Sequence, residues 1–315
     1  IYVFDENLNV VAEVESESTL YTSLAYGDGH IYLAGFMVED TNGDGVPELL
    51  GVVEKRTLDL DLVATRRIAL DESATGFTYL VDIGVNPATG SIWAVGLYYD
   101  LSRFTMGPLI VILDKSLEIL KTIRYQEGQE GYVGGVNGIC FEYRGRAYVA
   151  GERGIAKFSA LGELLAVNSD VRNSFKIACT DDGLYVFRNS EVRGYMRHVV
   201  SILNRNLNVV EEHVLSIGVE AHSEFSIGKP SVDEDSVYVA GMDRALGQGN
   251  MRIVVYSLEL KEVAVATVTT TVTTTVTTTT IRTATIAIPT TTTATITTTT
   301  TLTTTVPTTT TITTT

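Results

Sequence analysis

The side chains best placed to do chemistry in this 315-residue chain lie in one short stretch, Asp40-Thr41-Asn42-Gly43-Asp44-Gly45-Val46-Pro47-Glu48. Oxygen-bearing residues alternate, and glycine follows the third of them. A tight loop of this kind wraps a hard cation, with Asp40, Asn42 and Asp44 offering side-chain oxygens, Val46 a carbonyl, and Glu48 the closing carboxylate. Calcium is the cofactor that this spacing predicts. An Asx-rich turn holding no metal is the alternative reading of the same residues.

An EF-hand requires a bidentate Glu twelfth in the loop, and Gly51 stands there. The run "DTNGDGVPELLGVV", residues 40 to 53, instead resembles the D-x-N-x-D-G-x-x-D loop of FG-GAP and VCBS-type repeats in integrin-like propellers, with Glu48 where that family has Asp. The resemblance covers one hairpin. It implies a single structural calcium ion rather than an array.

Other reactive side chains are dispersed. His30, His198, His213 and His222 lack zinc-ligand spacing, and no nucleophile elbow, phosphate loop or dinucleotide fingerprint occurs. The acidic runs Glu211-Glu212 and Asp233-Glu234-Asp235 fall at turns and read as solvated surface. The expectation is a protein that is not an enzyme. Cys140 and Cys179, the only cysteines, are either two small buried hydrophobes or one bridge between neighbouring repeat units.

The elements that must position these residues are strands. His30-Ile31-Tyr32-Leu33-Ala34-Gly35, Ser91-Ile92-Trp93-Ala94-Val95-Gly96, Arg146-Ala147-Tyr148-Val149-Ala150-Gly151 and Ser236-Val237-Tyr238-Val239-Ala240-Gly241 are copies of one motif, and Leu184-Tyr185-Val186-Phe187 is a fifth without the glycine. Each follows a Gly, Asn or Asp turn. A second motif, strand, short polar turn, strand, lies downstream in Ile110–Leu120, Val200–Val210 and Ile253–Leu260. About four strands per unit, recurring every ~40 to 60 residues, predict the blades of a β-propeller over a β-sandwich.

The predicted fold class is all-β: five full blades plus a half blade, six in total, with an extended C-terminal Thr-rich β arm. The half blade is Ile1–Val11, which matches only the second motif. Its open edge invites another strand, from the tail of the same chain, from the tail of a neighbour, or from residues removed upstream. The chain opens on Ile1-Tyr2-Val3-Phe4 without an initiator Met, which reads as a processed, exported chain.

Composition changes once, dividing a 1–266 propeller domain from a 267–315 tail in which roughly two residues in three are threonine. Val268, Val272, Val276, Ala284, Ile286, Ile288, Ala294, Ile296, Leu302, Val306 and Ile312 all hold even positions. An extended strand therefore gathers them on one face and threonine on the other. A single such arm would reach ~150 Å.

The chain has no N-x-S/T sequon, so sugars are expected O-linked, first on Thr269, Thr271, Thr273, Thr275, Thr277 and Thr279. The composition resembles archaeal surface glycoproteins and donor-strand filament subunits. Net charge is −15, and Arg282 is the only charged residue of the tail. That balance argues against a nucleic-acid partner, and no apolar run approaches the ~18 residues of a transmembrane segment.

The resulting expectation is an extracellular or cell-surface structural subunit, forming a homo-oligomer or homopolymer by tail strand addition. The alternative is a calcium-stabilised adhesin head on a glycosylated stalk.

Overall fold

The computed structural model describes residues 1–4, 7, 9–16, 18–40, 45, 47–69, 76–192, 195–214, 225–227, 229–232, 236–244, 251–259, 265–286 and 292–313. Every regular element among them is a strand. The chain divides into two compact units, Ile1–Leu260 and Lys261–Thr315.

The first unit opens with a two-stranded hairpin, β1 (Tyr2–Phe4) and β2 (Val10–Glu13), followed by four antiparallel meanders of four strands each. Blade one is β3 (Thr19–Gly27), β4 (His30–Glu39), β5 (Glu48–Arg56) and β6 (Leu62–Ile68); blade two is β7 (Gly76–Val85), β8 (Ile92–Asp100), β9 (Thr105–Leu113) and β10 (Ile119–Arg124). Blade three is β11 (Val136–Phe141), β12 (Ala147–Gly151), β13 (Gly154–Phe158) and β14 (Leu164–Asn168); blade four is β15 (Ser174–Cys179), β16 (Leu184–Val192), β17 (Tyr195–Leu203) and β18 (Val209–Val214).

A fifth sheet has an interrupted inner strand, β19 (Phe225–Ile227) and β20 (Ser231–Val232), both paired to β21 (Ser236–Arg244), which pairs in turn with β22 (Met251–Glu259). Among the described residues this sheet is three strands deep. β1 and β2 pair with each other over Tyr2↔Glu13 to Phe4↔Val10.

The recurring glycine of the first motif has a steric cause. Each innermost strand carries a bulge at the same register, between Tyr21 and Ser23, Leu80 and Asp82, Val136 and Gly138, and Ser174 and Lys176. In the first two blades the residue before the bulge, and in the third the loop leading into the inner strand, lays a backbone carbonyl over the second strand. A Cβ at Gly35 would stand 2.1 Å from Leu20 O, one at Gly96 1.9 Å from Tyr79 O, and one at Gly151 2.4 Å from Val133 O. Only glycine fits. In the fourth blade Arg188 takes the place, its Nε donating to Ser201 Oγ at 2.7 Å.

The second motif has an equally local cause. The turn from third to fourth strand is built identically in four blades: Leu60, Leu117, Gly162 and Leu207 each donate a backbone N–H to the carbonyl three residues back, on Thr57, Asp114, Ser159 and Asn204. Those four side chains in turn accept the N–H of Asp61, Glu118, Glu163 and Asn208. The residue two before the fourth strand is left-handed, with φ of 69°, 65° and 68° at the leucines and 76° at Gly162. All three leucines are buried, so apolar burial holds a backbone conformation that L residues otherwise avoid.

The core lies between blades. Ile92 and Ala94 of β8 pack toward Tyr32, Ala34 and Val53 of blade one. Trp93 and Val95, their alternates, pack toward Ile139, Val149 and Phe158 of blade three. Blades three and four share Tyr148, Ala150, Ile177 and Val186 in the same way. Middle strands buried on both faces explain the near-continuous apolar runs.

In the second unit, β23 (Val265–Ile286) pairs antiparallel with β24 (Thr292–Thr313) along their whole length. The tail is β along its described length, and its two strands pair as a hairpin ribbon of about 70 Å, where a single strand would reach about twice as far. Two strands that pair satisfy half of the backbone groups that a lone strand leaves open. The register keeps parity, with Val272 opposite Val306, Val276 opposite Leu302 and Ala284 opposite Ala294. Even positions of both strands therefore share a face.

Candidate functional site

The bulges that shape the blades also deliver the most unusual cluster in the molecule. The first residue after each bulge is Ser23, Asp82, Gly138 or Lys176, and Lys229 lies in the interruption between β19 and β20, the fifth sheet's counterpart. These equivalent positions converge on one carboxylate. Asp82 is 1% exposed. Its Oδ1 accepts Ser23 Oγ at 2.6 Å and the Ile83 N–H at 2.9 Å, and its Oδ2 accepts the Ile139 N–H at 3.0 Å.

Two ammonium groups complete the cluster. Lys229 Nζ stands 3.1 Å from Asp82 Oδ1 and donates to the Ile83 carbonyl. Lys176 Nζ stands 4.0 Å from Asp82 Oδ2 and donates to Val81 O at 3.3 Å. All five inner strands thus meet at one acid.

Burial alone would raise the Asp82 pKa. The charges of Lys229 and Lys176, with the Ser23 and Ile139 hydrogen bonds, outweigh it and hold the carboxyl below its ordinary 3.8. Lys176 moves the other way. Burial pushes its ammonium below the usual 10.5, Asp82 opposes this in part, and the like charge of Lys229 adds to it.

The residues expected to bind calcium occupy the mouth of the β4–β5 hairpin. The Gly45 N–H donates to Asp40 Oδ2 at 2.8 Å, with Gly45 at φ 82°, so the loop closes back on its first carboxylate. Glu48 opens β5, and its neighbour across the ladder is Glu39. Of the expected donors only Asp40 and Glu48 are among the described residues, and a backbone N–H on the Asp40 carboxylate is the closure of an Asx turn as well. Asn42, Asp44 and Val46 lie outside the described residues, and among those described no group of three or more His, Cys, Asp or Glu is arranged to hold a metal.

Cys140 on β11 and Cys179 on β15 form a disulfide, Cα to Cα 5.5 Å, joining the innermost strands of blades three and four. The histidines stay apart: His30 Nδ1 contacts Asp28 O, His213 pairs with Glu211, and His198 is buried. His222 lies outside the described residues. The six candidate threonines, Thr269 to Thr279 at odd positions, lie on β23 opposite odd-numbered residues of β24.

Sequence reasoning passed over Asp82, Lys176 and Lys229. The available signal was the second strand's motif: aligning its copies brings the three to one register, as the only charged residues among the described inner-strand positions.

No protein-family profile matches the chain, and no curated protein matches it. Solved structures do. A protein of unknown function from Bacteroides caccae aligns at TM-score 0.51 and 14% identity over 76% of this chain and 77% of its own. The Pan2 WD40 domain of Neurospora crassa aligns at TM-score 0.50 and 11% identity over 78% of this chain and 66% of its own. At such identities the likeness shows the fold alone. The repeated four-stranded meanders and these neighbours make the chain an all-β protein with a β-propeller fold.

Proposed function

We propose that this chain is an extracellular or cell-surface binding head, a disulfide-stapled propeller with a Thr-rich ribbon that serves as an O-glycosylated spacer. The observation that carries the reading is the self-pairing of Val265–Ile286 with Thr292–Thr313. A tail whose strands pair with each other behaves as a spacer rather than as a donor strand in search of an acceptor. The Cys140–Cys179 bridge supports an oxidising compartment, and among the described residues no helix is long and apolar enough to cross a membrane. The role is binding rather than catalysis, with a calcium ion at Asp40, Asn42, Asp44, Val46 and Glu48 stiffening one hairpin mouth.

A second reading, a filament subunit, draws on the β1–β2 hairpin, which pairs with no other strand among the described residues and so offers an edge for strand addition. One pair of measurements separates the two. Intact mass before and after β-elimination is expected to show sugar on the ribbon threonines, and electron microscopy is expected to show single particles. An unmodified ribbon would overturn the spacer reading; polymers that disappear when residues 261–315 are deleted would replace it with the filament.

A further inference from the structure

Among the described residues the charges at the propeller axis do not balance, two lysines standing against one carboxylate. Asp82 already accepts hydrogen bonds from Ser23, Ile83 and Ile139 and an ion-pair contact from Lys229. Three of these contacts fall on Oδ1 and only the Ile139 N–H on Oδ2, so the oxygen nearest Lys176 keeps an acceptor site that Lys176 does not reach. Its ammonium lies 4.0 Å away, an ion-pair distance too long for a hydrogen bond.

Among the described residues the one hydrogen-bond acceptor of Lys176 is Val81 O, whereas an ammonium carries three donors. The Lys176 side chain is only 12% exposed. A cation so far removed from water is costly unless a counter-charge meets it. Lys229 is different: its side chain is 34% exposed, so the cluster opens to solvent on that flank.

We propose that Lys176 and Lys229 together bind one oxyanion group at the propeller axis, either the carboxylate of a sugar acid or a phosphate. Asp82 sets the geometry: it holds Lys229 at one oxygen and draws Lys176 toward the other, leaving both ammonium groups with donors for an incoming anion. Bulges at one register in successive blades deliver the residues, so ring closure assembles the site. The inference is independent of where the chain works and of the ribbon's role.

The test titrates the full chain with inorganic phosphate and, separately, with sodium D-glucuronate, at fixed ionic strength and neutral pH, by calorimetry and by melting temperature. Saturable one-to-one binding of at least one probe is expected, and whichever binds names the source of the oxyanion. Lys229→Met, at the more exposed position, is expected to fold and to weaken that binding about tenfold or more. Asp82→Asn releases both lysines from their internal partner; it is expected to tighten binding while lowering the melting temperature of the free protein. The proposal is overturned if neither probe binds the natural sequence at millimolar concentration, or if folded Lys229→Met binds as well as the natural sequence.

Discussion

Lys176 Nζ and Asp82 Oδ2 stand 4.0 Å apart although they belong to innermost strands of blades two and four, with blade three between them in sequence. The pair exists only when the ring has closed far enough to bring those strands together. Its protonation state is therefore coupled to folding.

Asp82 is held below 3.8 when folded and returns to it when unfolded. As the pH falls, the unfolded chain takes up this proton first. The stabilisation from the carboxylate is complete above its ordinary pKa and drains away as pH drops through the lower folded value. Urea midpoints measured between about pH 5 and pH 3 are expected to fall more steeply for the natural sequence than for Asp82→Asn. Parallel curves would remove Asp82 from the acid response.

The disulfide closes a chain separation of 39 residues. Loop-closure entropy sets an upper value of about 4 kcal/mol for such a link. Replacing both Cys140 and Cys179 by serine is expected to cost about 2–4 kcal/mol in denaturant unfolding. Reducing agent should reproduce that loss in the natural sequence and have no effect on the double variant.

Gly96→Ala brings a Cβ to 1.9 Å from Tyr79 O. The blade cannot yield there without undoing its bulge, so a loss of about 3 kcal/mol or more is expected, read as lower melting temperature or soluble yield. Gly29→Ala is the contrast. Nothing lies within 4 Å of its Cβ, and only φ of +72° opposes it, which costs about 1–2 kcal/mol.

Leu117 combines φ of 65° with 1% exposure. Leu117→Ala forfeits burial and keeps the unfavourable backbone, for an expected loss of about 2–4 kcal/mol. Leu117→Gly forfeits the same burial but regains about 1 kcal/mol from the left-handed φ. Glycine should therefore be no worse than alanine here, reversing the usual order inside sheets. Chemical denaturation of the two variants checks it.

Calcium at the Asp40 loop predicts ligand-dependent stability. With calcium at a thousandfold excess over its dissociation constant, the gain is about 4 kcal/mol. A chelator should remove it, and Asp40→Asn should abolish the response without altering the chelated protein's melting point by more than a degree or so. A natural-sequence melt indifferent to chelator and calcium would leave the loop as the Asx turn that its residues equally allow.

Much of the propeller was legible because its signals are local. The glycine that closes the second-strand motif records a bulge on its neighbour, and the polar-x-x-Leu turn records a capped left-handed residue. Both repeat, and repetition makes each copy evidence for the next. The axial cluster is legible only after the motif copies are aligned, because Asp82, Lys176 and Lys229 are far apart in sequence and form no local motif.

The ribbon falls between these cases. Parity in the tail was visible, but parity alone gives the faces of a strand, not its partner. The departures from parity at Ala287 and Pro289 fall in the stretch joining β23 to β24, and a proline there has no N–H for a ladder.

Because Ile92 and Ala94 serve one interface while Trp93 and Val95 serve the next, no blade owns a core. Cut out alone, blade two would expose both of its packed faces to water and retain only its ladder of hydrogen bonds. The described blades therefore form one cooperative foldon coupled through nearest neighbours, like links that hold tension only in a chain. Amide hydrogens on β8, β9, β12 and β13 should exchange together through a shared opening, long after those of the outermost strands.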